Sequence, residues 1–141
     1  MNQKAESTTQ GPTLRSYPPH REDGTPYQSF DEFWPYYLQE HLDPANRRLH
    51  AIGTTTAMGV VAAALLKGRP AMIPLALVAG YGPAWVGHFF IEKNRPATFT
   101  YPRWSLMGDF RMNRLMWTGQ LHAELERLGL VAPPADASVD A

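Results

Sequence analysis

Two long apolar runs separated by a short turn constrain the fold of this chain more than any other feature. They cover residues 51–66 and 71–91, and neither carries a charged or histidine side chain before His88. The residues between them, Lys-Gly-Arg-Pro at 67–70, form a clear turn signal. A helix needs about 20 apolar residues to cross the core of a bilayer, and the two runs have 16 and 21. With the turn between them, they predict a helical hairpin. The hairpin is either membrane-embedded or a buried pair in a soluble four-helix bundle. We favour the membrane, because the two runs offer almost no polar face to solvent.

Composition excludes several classes of site. The 13 basic and 13 acidic residues cancel, so no global field attracts nucleic acid and we expect no nucleic-acid partner. The sequence contains no cysteine, which excludes disulfides, thiolate metal sites and iron–sulfur clusters. Any bound metal must therefore be held by nitrogen and oxygen ligands.

The chain divides into one helical domain between two tails. Residues 1–28 are polar and rich in proline, and residues 131–141 are small and acidic, so we expect both to be disordered. Residues 29–130 form the domain, with the hairpin at 44–91. No strand-like alternation is present, so the predicted fold is all-α, a four-helix arrangement in which the second and third helices form the central hairpin.

Local signals place the helix ends. Ser29 with Glu32 three residues later is a capping-box pattern that begins the first helix. Asp43 followed by Pro44 begins the second. The third covers residues 71–91, and the last runs from about residue 106 to 128, with Gly129 as its stop.

Cationic residues are distributed unevenly between the two ends of the hairpin. Those at its open end, where the chain enters and leaves it, are Arg47, Arg48, Lys93, Arg95 and Arg103. Those at its turn are Lys67 and Arg69. Because the more positive side of a membrane protein faces the cytoplasm, both termini are predicted to be cytoplasmic.

The same open end gathers the residues with chemical potential. Asn46 and His50 are four apart and share a helix face, as do His88 and Glu92. In an antiparallel hairpin, the start of the second helix lies level with the end of the third. His50 and His88 therefore meet, and His41 at the preceding corner is near enough to join them. Gly53, on the His50 face, leaves room for a close neighbour.

Each of these residues has an ordinary structural explanation when taken alone. A single histidine is more often a hydrogen-bonded core residue than a ligand, and His88 with Glu92 is compatible with a simple ion pair. Convergence of three histidines and a carboxylate at the edge of a bilayer is costly, and this favours a functional site. His122 on the last helix ranks below these three, and His20 falls in the predicted tail.

The pattern also resembles a known family. His41, Asn46, His50 and Gly53, followed by Gly-His at 87–88, Glu-Lys at 92–93 and Pro-Ala at 96–97, resemble the Mpo-like family of 2-hydroxy fatty acid dioxygenases. The likeness covers roughly residues 33–102. The block 92–99 is similar to the bacterial branch in particular, so we expect the bacterial inner membrane as the location.

The resemblance implies an Fe(2+)-dependent enzyme that uses O2 to shorten a 2-hydroxy fatty acid by one carbon with loss of carbon dioxide (α-oxidation). By motif match, His41, His50 and His88 carry over as iron ligands. The fourth position is left to Glu92, His122 or water.

Further expectations concern the substrate and the partners. Glu92 and Asn46 are expected to take part in catalysis, and Arg47 and Arg48 to hold the substrate carboxylate. The expected partners are the hydroxylated fatty acid, O2 and membrane lipids.

Two other functions stay open. One is a non-enzymatic membrane or lipid-binding module, in which the histidines and arginines bind lipid or a partner helix. The other is a zinc-dependent hydrolase that uses the same histidines to activate water. A broad apolar surface also allows a homodimer.

Overall fold

The computed structural model describes residues 13–132, and within that range the chain forms five α-helices and no strand. The helices are α1 Phe30–Gln39, α2 Pro44–Leu66, α3 Ile73–Val86, α4 Pro102–Trp117 and α5 Leu121–Arg127. Two 3-10 helices, Pro70–Met72 and Ala97–Phe99, and one π-helix, Gly87–Glu92, complete the regular structure. The predicted all-α fold is confirmed.

The helix starts agree with the capping signals. The Ser29 side chain accepts a hydrogen bond from the Glu32 backbone N–H, and Asp43 does the same for the N–H of Ala45. Pro44 occupies the first turn of α2, where its missing N–H has no cost. The first two helices therefore begin as predicted.

The predicted last helix is two helices. It begins earlier than expected, at Pro102, and is divided after Trp117. Gly119 adopts a left-handed conformation (φ 69°), which a continuing α-helix does not allow. Gly129 has the same φ of 69° just beyond α5, where the sequence predicted the stop.

The predicted third helix is also composite. A 3-10 turn leads into α3, and after Val86 the backbone widens into the π-helix. The segment Pro70–Glu92 is therefore one continuous helix whose backbone hydrogen-bond pattern changes twice along its length. Pro83 lies inside α3 and cannot donate the backbone hydrogen bond of its turn.

A three-helix bundle, made of α1, α4 and α5, contains the hydrophobic core. The core is rich in aromatic side chains, and Phe33, Trp34 and Tyr37 of α1 are almost fully buried in it. Leucines from the last two helices close its other side. No residue of the hairpin belongs to this core among the described residues.

The segment 13–28 lies against the bundle, although the sequence assigned it to a tail. Arg15 donates its backbone N–H to the Gly129 carbonyl at 2.8 Å, and the Tyr17 hydroxyl donates to the Leu128 carbonyl at 2.7 Å. Tyr27 packs on the core. These two tyrosines give a polar, proline-rich segment enough apolar surface to dock, which composition alone did not reveal. Residues 1–12 and 133–141 of the predicted tails lie outside the described part of the chain.

In the hairpin, formed by α2, α3 and the π-helix, small residues are buried and large apolar residues are exposed. The buried apolar positions are Gly53, Ala64, Ala76, Ala84 and Gly87. Leu66, Phe90 and Val78, in contrast, are 89%, 76% and 71% exposed. Soluble helices bury their large apolar residues, whereas close contact through small residues is typical of helix pairs in membranes. Both arms are long and apolar enough to cross a bilayer.

Close packing of the two arms depends on Gly53. A Cβ atom at this position would lie 2.7 Å from the Gly80 carbonyl oxygen and 3.1 Å from that of Ala79. Both contacts are with backbone, which cannot rotate away. The sequence expectation of a close neighbour at Gly53 is confirmed.

We predict that Gly53→Ala destabilises the protein, by about 1–3 kcal/mol, because α2 and α3 must separate. Gly59→Ala is the matched control, since a Cβ there meets nothing within 4 Å. The control should be neutral or stabilising, because alanine is the better helix former. Thermal unfolding of the two purified variants would check this, and equal melting temperatures would contradict it.

Glu124 fastens α5 to the rest of the bundle. Its carboxylate accepts hydrogen bonds from Arg127 at 2.7 and 2.8 Å and from the Trp34 indole N–H at 2.7 Å. Arg111 contributes a second cation at 3.3 Å. The hydrogen bonds from Arg127 have the largest effect on the pKa of Glu124, and burial opposes them. The Trp34 hydrogen bond and the charges of Arg127 and Arg111 also lower the pKa, which falls to about 2.

We therefore predict a loss of stability in acid that depends on Glu124. The folded-state pKa lies below the usual value of 4.5, so the stabilisation is complete above pH 4.5 and is lost as the pH falls towards 2. Melting temperatures of wild type and Glu124→Gln at pH 7 and pH 3 measure the effect. The wild-type advantage should shrink at pH 3, and an advantage that does not change with pH would refute the assignment.

Candidate metal centre

Three histidines from three different elements come together where the hairpin meets the bundle. His41 follows the end of α1, His50 lies in the second turn of α2, and His88 is in the π-helix. They are 1%, 5% and 2% exposed, and one nitrogen from each lies within 4.8 Å of the others. The predicted convergence at the open end of the hairpin is thus present in the structure. We call this set the three-histidine group.

The imidazole rings are nearly perpendicular to one another. Ring centres are 4.4 Å apart for His41 and His50, 4.6 Å for His41 and His88, and 5.0 Å for His50 and His88. The corresponding interplanar angles are 85°, 79° and 90°. The rings therefore do not stack, and their nitrogen-bearing edges face a common centre.

Each ring is held from its Nδ1 atom by an oxygen acceptor. The three pairs are His41 with the Tyr37 carbonyl at 2.6 Å, His50 with the Asp109 carboxylate at 2.7 Å, and His88 with the Asn94 amide oxygen at 2.7 Å. An oxygen acceptor requires the proton on Nδ1, which leaves the Nε2 lone pair of a neutral ring free. This is how metal-binding histidines are usually oriented.

The free Nε2 atoms need a hydrogen-bond donor or a metal ion as a partner. Those of His50 and His88 are only 3.2 Å apart, so two lone pairs face each other. The Nε2 of His41 is buried without a hydrogen-bond partner in the described chain. A proton on Nε2 of His50 would satisfy His88 but would leave His41 unpaired. A metal ion satisfies all three rings, so the residues present fit a bound metal.

Burial keeps His41 neutral. Loss of solvation, together with the neighbouring rings of His50 and His88, lowers the pKa of His41 well below its usual value. A histidine must be neutral to ligate a metal. His41 is therefore ready to bind a cation without first losing a proton near neutral pH.

The end of the π-helix shapes the contact to His88. Lys93 adopts a left-handed conformation (φ 55°), and the Asn94 backbone N–H returns to the His88 carbonyl at 3.0 Å. The Asn94 amide group donates to the Glu40 carbonyl and carboxylate at 3.0 and 2.9 Å. These donations orient the amide oxygen towards His88 and tie the π-helix to the end of α1.

Tyr37 orients two of the three rings. Its carbonyl accepts from His41, and its hydroxyl donates to Asp109, which in turn holds His50. Burial, then the adjacent Asp109 charge, raises the pKa of Tyr37 well above its usual value, so the hydroxyl keeps its proton. A Cβ at Gly108 would lie 2.9 Å from the Tyr37 ring, so that glycine lets α4 approach closely.

Asn46 and Glu92 pair with each other beside the three-histidine group. A Glu92 carboxylate oxygen accepts from the Asp43 backbone N–H at 2.7 Å and lies 3.5 Å from the Asn46 amide nitrogen. A Cβ at Gly87 would overlap the Asn46 amide oxygen. The pair fastens the start of α2 to the π-helix. Four-residue spacing from His88 does not bring Glu92 into the group, because a π-helix turns more widely than an α-helix. The catalytic roles of Asn46 and Glu92 stay predictions.

The arginines and His122 lie elsewhere. Arg47 donates to the carbonyls of His41 and Leu42 at 2.9 and 2.6 Å, which holds the corner between α1 and α2. Arg48 and His122 line a separate pocket of about 310 Å³. His122 also lies 3.1 Å from Glu126, one turn away on α5. Substrate binding by the arginines, and a metal contact from His122, stay predictions.

Sequence reasoning missed the three acceptors around the histidines. Asp109, Tyr37 and Asn94 were not singled out as candidate site residues from the sequence. No sequence signal distinguished Asp109, because the predicted last helix began at about residue 106 and an aspartate in a first helical turn is explained by the helix dipole.

Comparison with known proteins agrees with this arrangement. The sequence model of the family described as 2-hydroxy-palmitic acid dioxygenase Mpo1-like matches residues 27–121. The chain belongs to this family. The matched region of this Mpo1-like protein contains all three histidines and their acceptors. No curated protein and no solved structure matches the chain significantly.

We predict that ferrous iron, added without oxygen, stabilises the wild-type protein. At about a hundred times the dissociation constant the gain is about 2.7 kcal/mol, and the bound metal should approach one ion per chain. His50→Ala and His88→Ala should abolish both effects, because each removes one nitrogen of the group. His122→Ala is the control and should keep both. Full metal content in the double variant of His50 and His88 would exclude this site.

Proposed function

We propose that this protein is an Fe(2+)-dependent dioxygenase that shortens a 2-hydroxy fatty acid by one carbon. One observation carries the proposal, the convergence of three buried imidazole rings, whose nitrogens lie within 4.8 Å of one another. The family description, which names a 2-hydroxy-palmitic acid dioxygenase, supports the choice of substrate.

The choice of iron follows from the reaction class. Neutral imidazoles suit zinc, copper, iron and nickel, and zinc has no redox chemistry. Bound to His41, His50 and His88, ferrous iron would supply the one-electron chemistry that allows O2 to react with an organic acid. Three protein ligands leave positions for substrate and oxygen.

The proposed reaction balances without another reductant. One 2-hydroxy acid and one O2 give one acid that is shorter by a carbon, one carbon dioxide and one water. The bond between the carboxyl carbon and C2 breaks, and C2 becomes the new carboxyl carbon. The substrate loses four electrons, and O2 accepts four. O2 is therefore the only oxidant that the reaction needs.

The residues of the chain prepare the site for this reaction. Asp109 holds the Nδ1 proton of His50 and makes that ring a better ligand, and Tyr37 keeps Asp109 in place. Asn94 does the same for His88 through a neutral amide. Burial of all three rings excludes bulk water from the point where the ring nitrogens meet.

We further propose that the hairpin lies in the bacterial inner membrane with both termini in the cytoplasm. Support comes from its two long apolar arms and from its exposed large side chains. The three-histidine group then lies near the cytoplasmic surface, beside the cationic end of the hairpin. A substrate dissolved in the inner leaflet reaches it without crossing water. Formation of a homodimer stays a prediction.

The test is oxygen consumption by protein that was reloaded with ferrous iron. We predict equal amounts of O2 consumed, carbon dioxide released and pentadecanoic acid formed from 2-hydroxyhexadecanoic acid. Hexadecanoic acid, which lacks the hydroxyl, should not react. Iron-loaded protein that consumes no oxygen with 2-hydroxy acids of any chain length would refute the proposal. Ester hydrolysis by the zinc-loaded protein would instead favour a hydrolase.

A further inference from the structure

An apolar groove of about 530 Å³ runs along the hairpin and ends beside the three-histidine group. Its walls come from α2, α3 and the exposed side of α4. Asp109, the acceptor for His50, lies at one end. Leu65, in the last turn of α2, lies at the other.

The groove continues the same helix faces that carry the histidines. On α2, His50 is followed at helical spacing by Thr54, Ala57, Val61 and Leu65, and the last four line the groove. An acyl chain whose polar end lies at the imidazoles would therefore follow this face of α2 along its whole length.

The dimensions suit an acyl chain in one leaflet of a bilayer. From Thr54 to Leu65 the helix rises by about 16 Å at roughly 1.5 Å per residue. Half of a bilayer hydrocarbon core is about 15 Å. A fatty acid with its carboxylate at the membrane surface would reach from the three-histidine group to the middle of the bilayer.

The groove is open at its side. Leu65 and Leu77, on opposite walls, are 71% and 60% exposed, and the α4 residues Leu106 and Phe110 at the histidine end are about half exposed. An acyl chain can therefore enter the groove sideways from the lipid hydrocarbon, whereas a closed cavity would require the acyl chain to pass through water first.

We propose that this groove binds the acyl chain of the substrate, admits it laterally from the inner leaflet and sets the chain length that the protein accepts. The identity of the head group rests on the proposed function. The apolar walls, the position of Asp109 at one end of the groove, where it also contacts His50, and the length of one leaflet favour the substrate chain as occupant over a second copy of the protein.

Tryptophan substitutions at two depths test the groove. Ala57→Trp fills it about 10 Å along α2 from His50, and Ala62→Trp fills it about 18 Å along. Thr56→Trp is the matched control, because Thr56 lies outside the groove on another side of α2. The probes are 2-hydroxyoctanoic acid and 2-hydroxyhexadecanoic acid, each with a photoreactive diazirine at its last carbon.

Crosslinking in lipid nanodiscs reports binding without turnover. In the wild type, the long probe should label residues near Leu65 and Leu77, and the short one residues near Ala57. Ala62→Trp should lower labelling by the long probe about tenfold, the usual cost of a misfit in an apolar pocket, and spare the short probe. Ala57→Trp should impair both, and Thr56→Trp neither.

The outcomes separate this inference from the proposed function. Labelling spread evenly around the hairpin, or equal loss in Thr56→Trp and Ala57→Trp, would overturn the groove even if oxygen uptake is observed. Groove labelling in a protein that consumes no oxygen would support the groove and refute the dioxygenase. Crosslinks between two protein chains across the groove would identify a second copy as its occupant and overturn the proposal.

Discussion

Three hydrogen bonds donated by the outer (Nδ1) nitrogens of three histidines determine what the rest of this structure has to provide. Each bond needs an oxygen acceptor on the side of the ring away from the common centre. The end of α1 supplies one, α4 the second and the turn after the π-helix the third. Because Asp109 is 59 residues from His50, α4 must pack across the open end of the hairpin, next to α1. The aromatic core of the bundle fixes them in that position.

The hairpin and the bundle follow opposite packing rules, and the site lies at their junction. In the bundle, large aromatic side chains are buried and stabilise the fold in the ordinary way. In the hairpin, glycines and alanines form the contact, and leucines, valines and phenylalanines face outwards. Exposure of these large apolar side chains is unfavourable in water but would be favourable in the hydrocarbon of a membrane. The three-histidine group at this junction therefore has the apolar hairpin on one side and the bundle on the other.

Local signals in the sequence were sufficient for much of the fold. Hydrophobic periodicity and the caps at Ser29 and Asp43 predicted the first two helices, and antiparallel geometry predicted the meeting of His50 with His88. The surroundings of the histidines required tertiary information. Asp109 is 59 residues from His50, and its role depends on how α4 crosses the hairpin. Widening of the backbone into a π-helix, which turns Glu92 away from the group, leaves no comparable trace in the sequence.

Anomalous diffraction at the iron absorption edge, from crystals grown anaerobically with ferrous iron, tests the central claim most directly. We expect one strong peak per chain, within bonding distance of the Nε2 atoms of His41, His50 and His88. Their Nδ1 atoms should still be hydrogen-bonded to Tyr37, Asp109 and Asn94. A peak at Glu92 or His122 instead, or metal bound through the Nδ1 atoms, would contradict it.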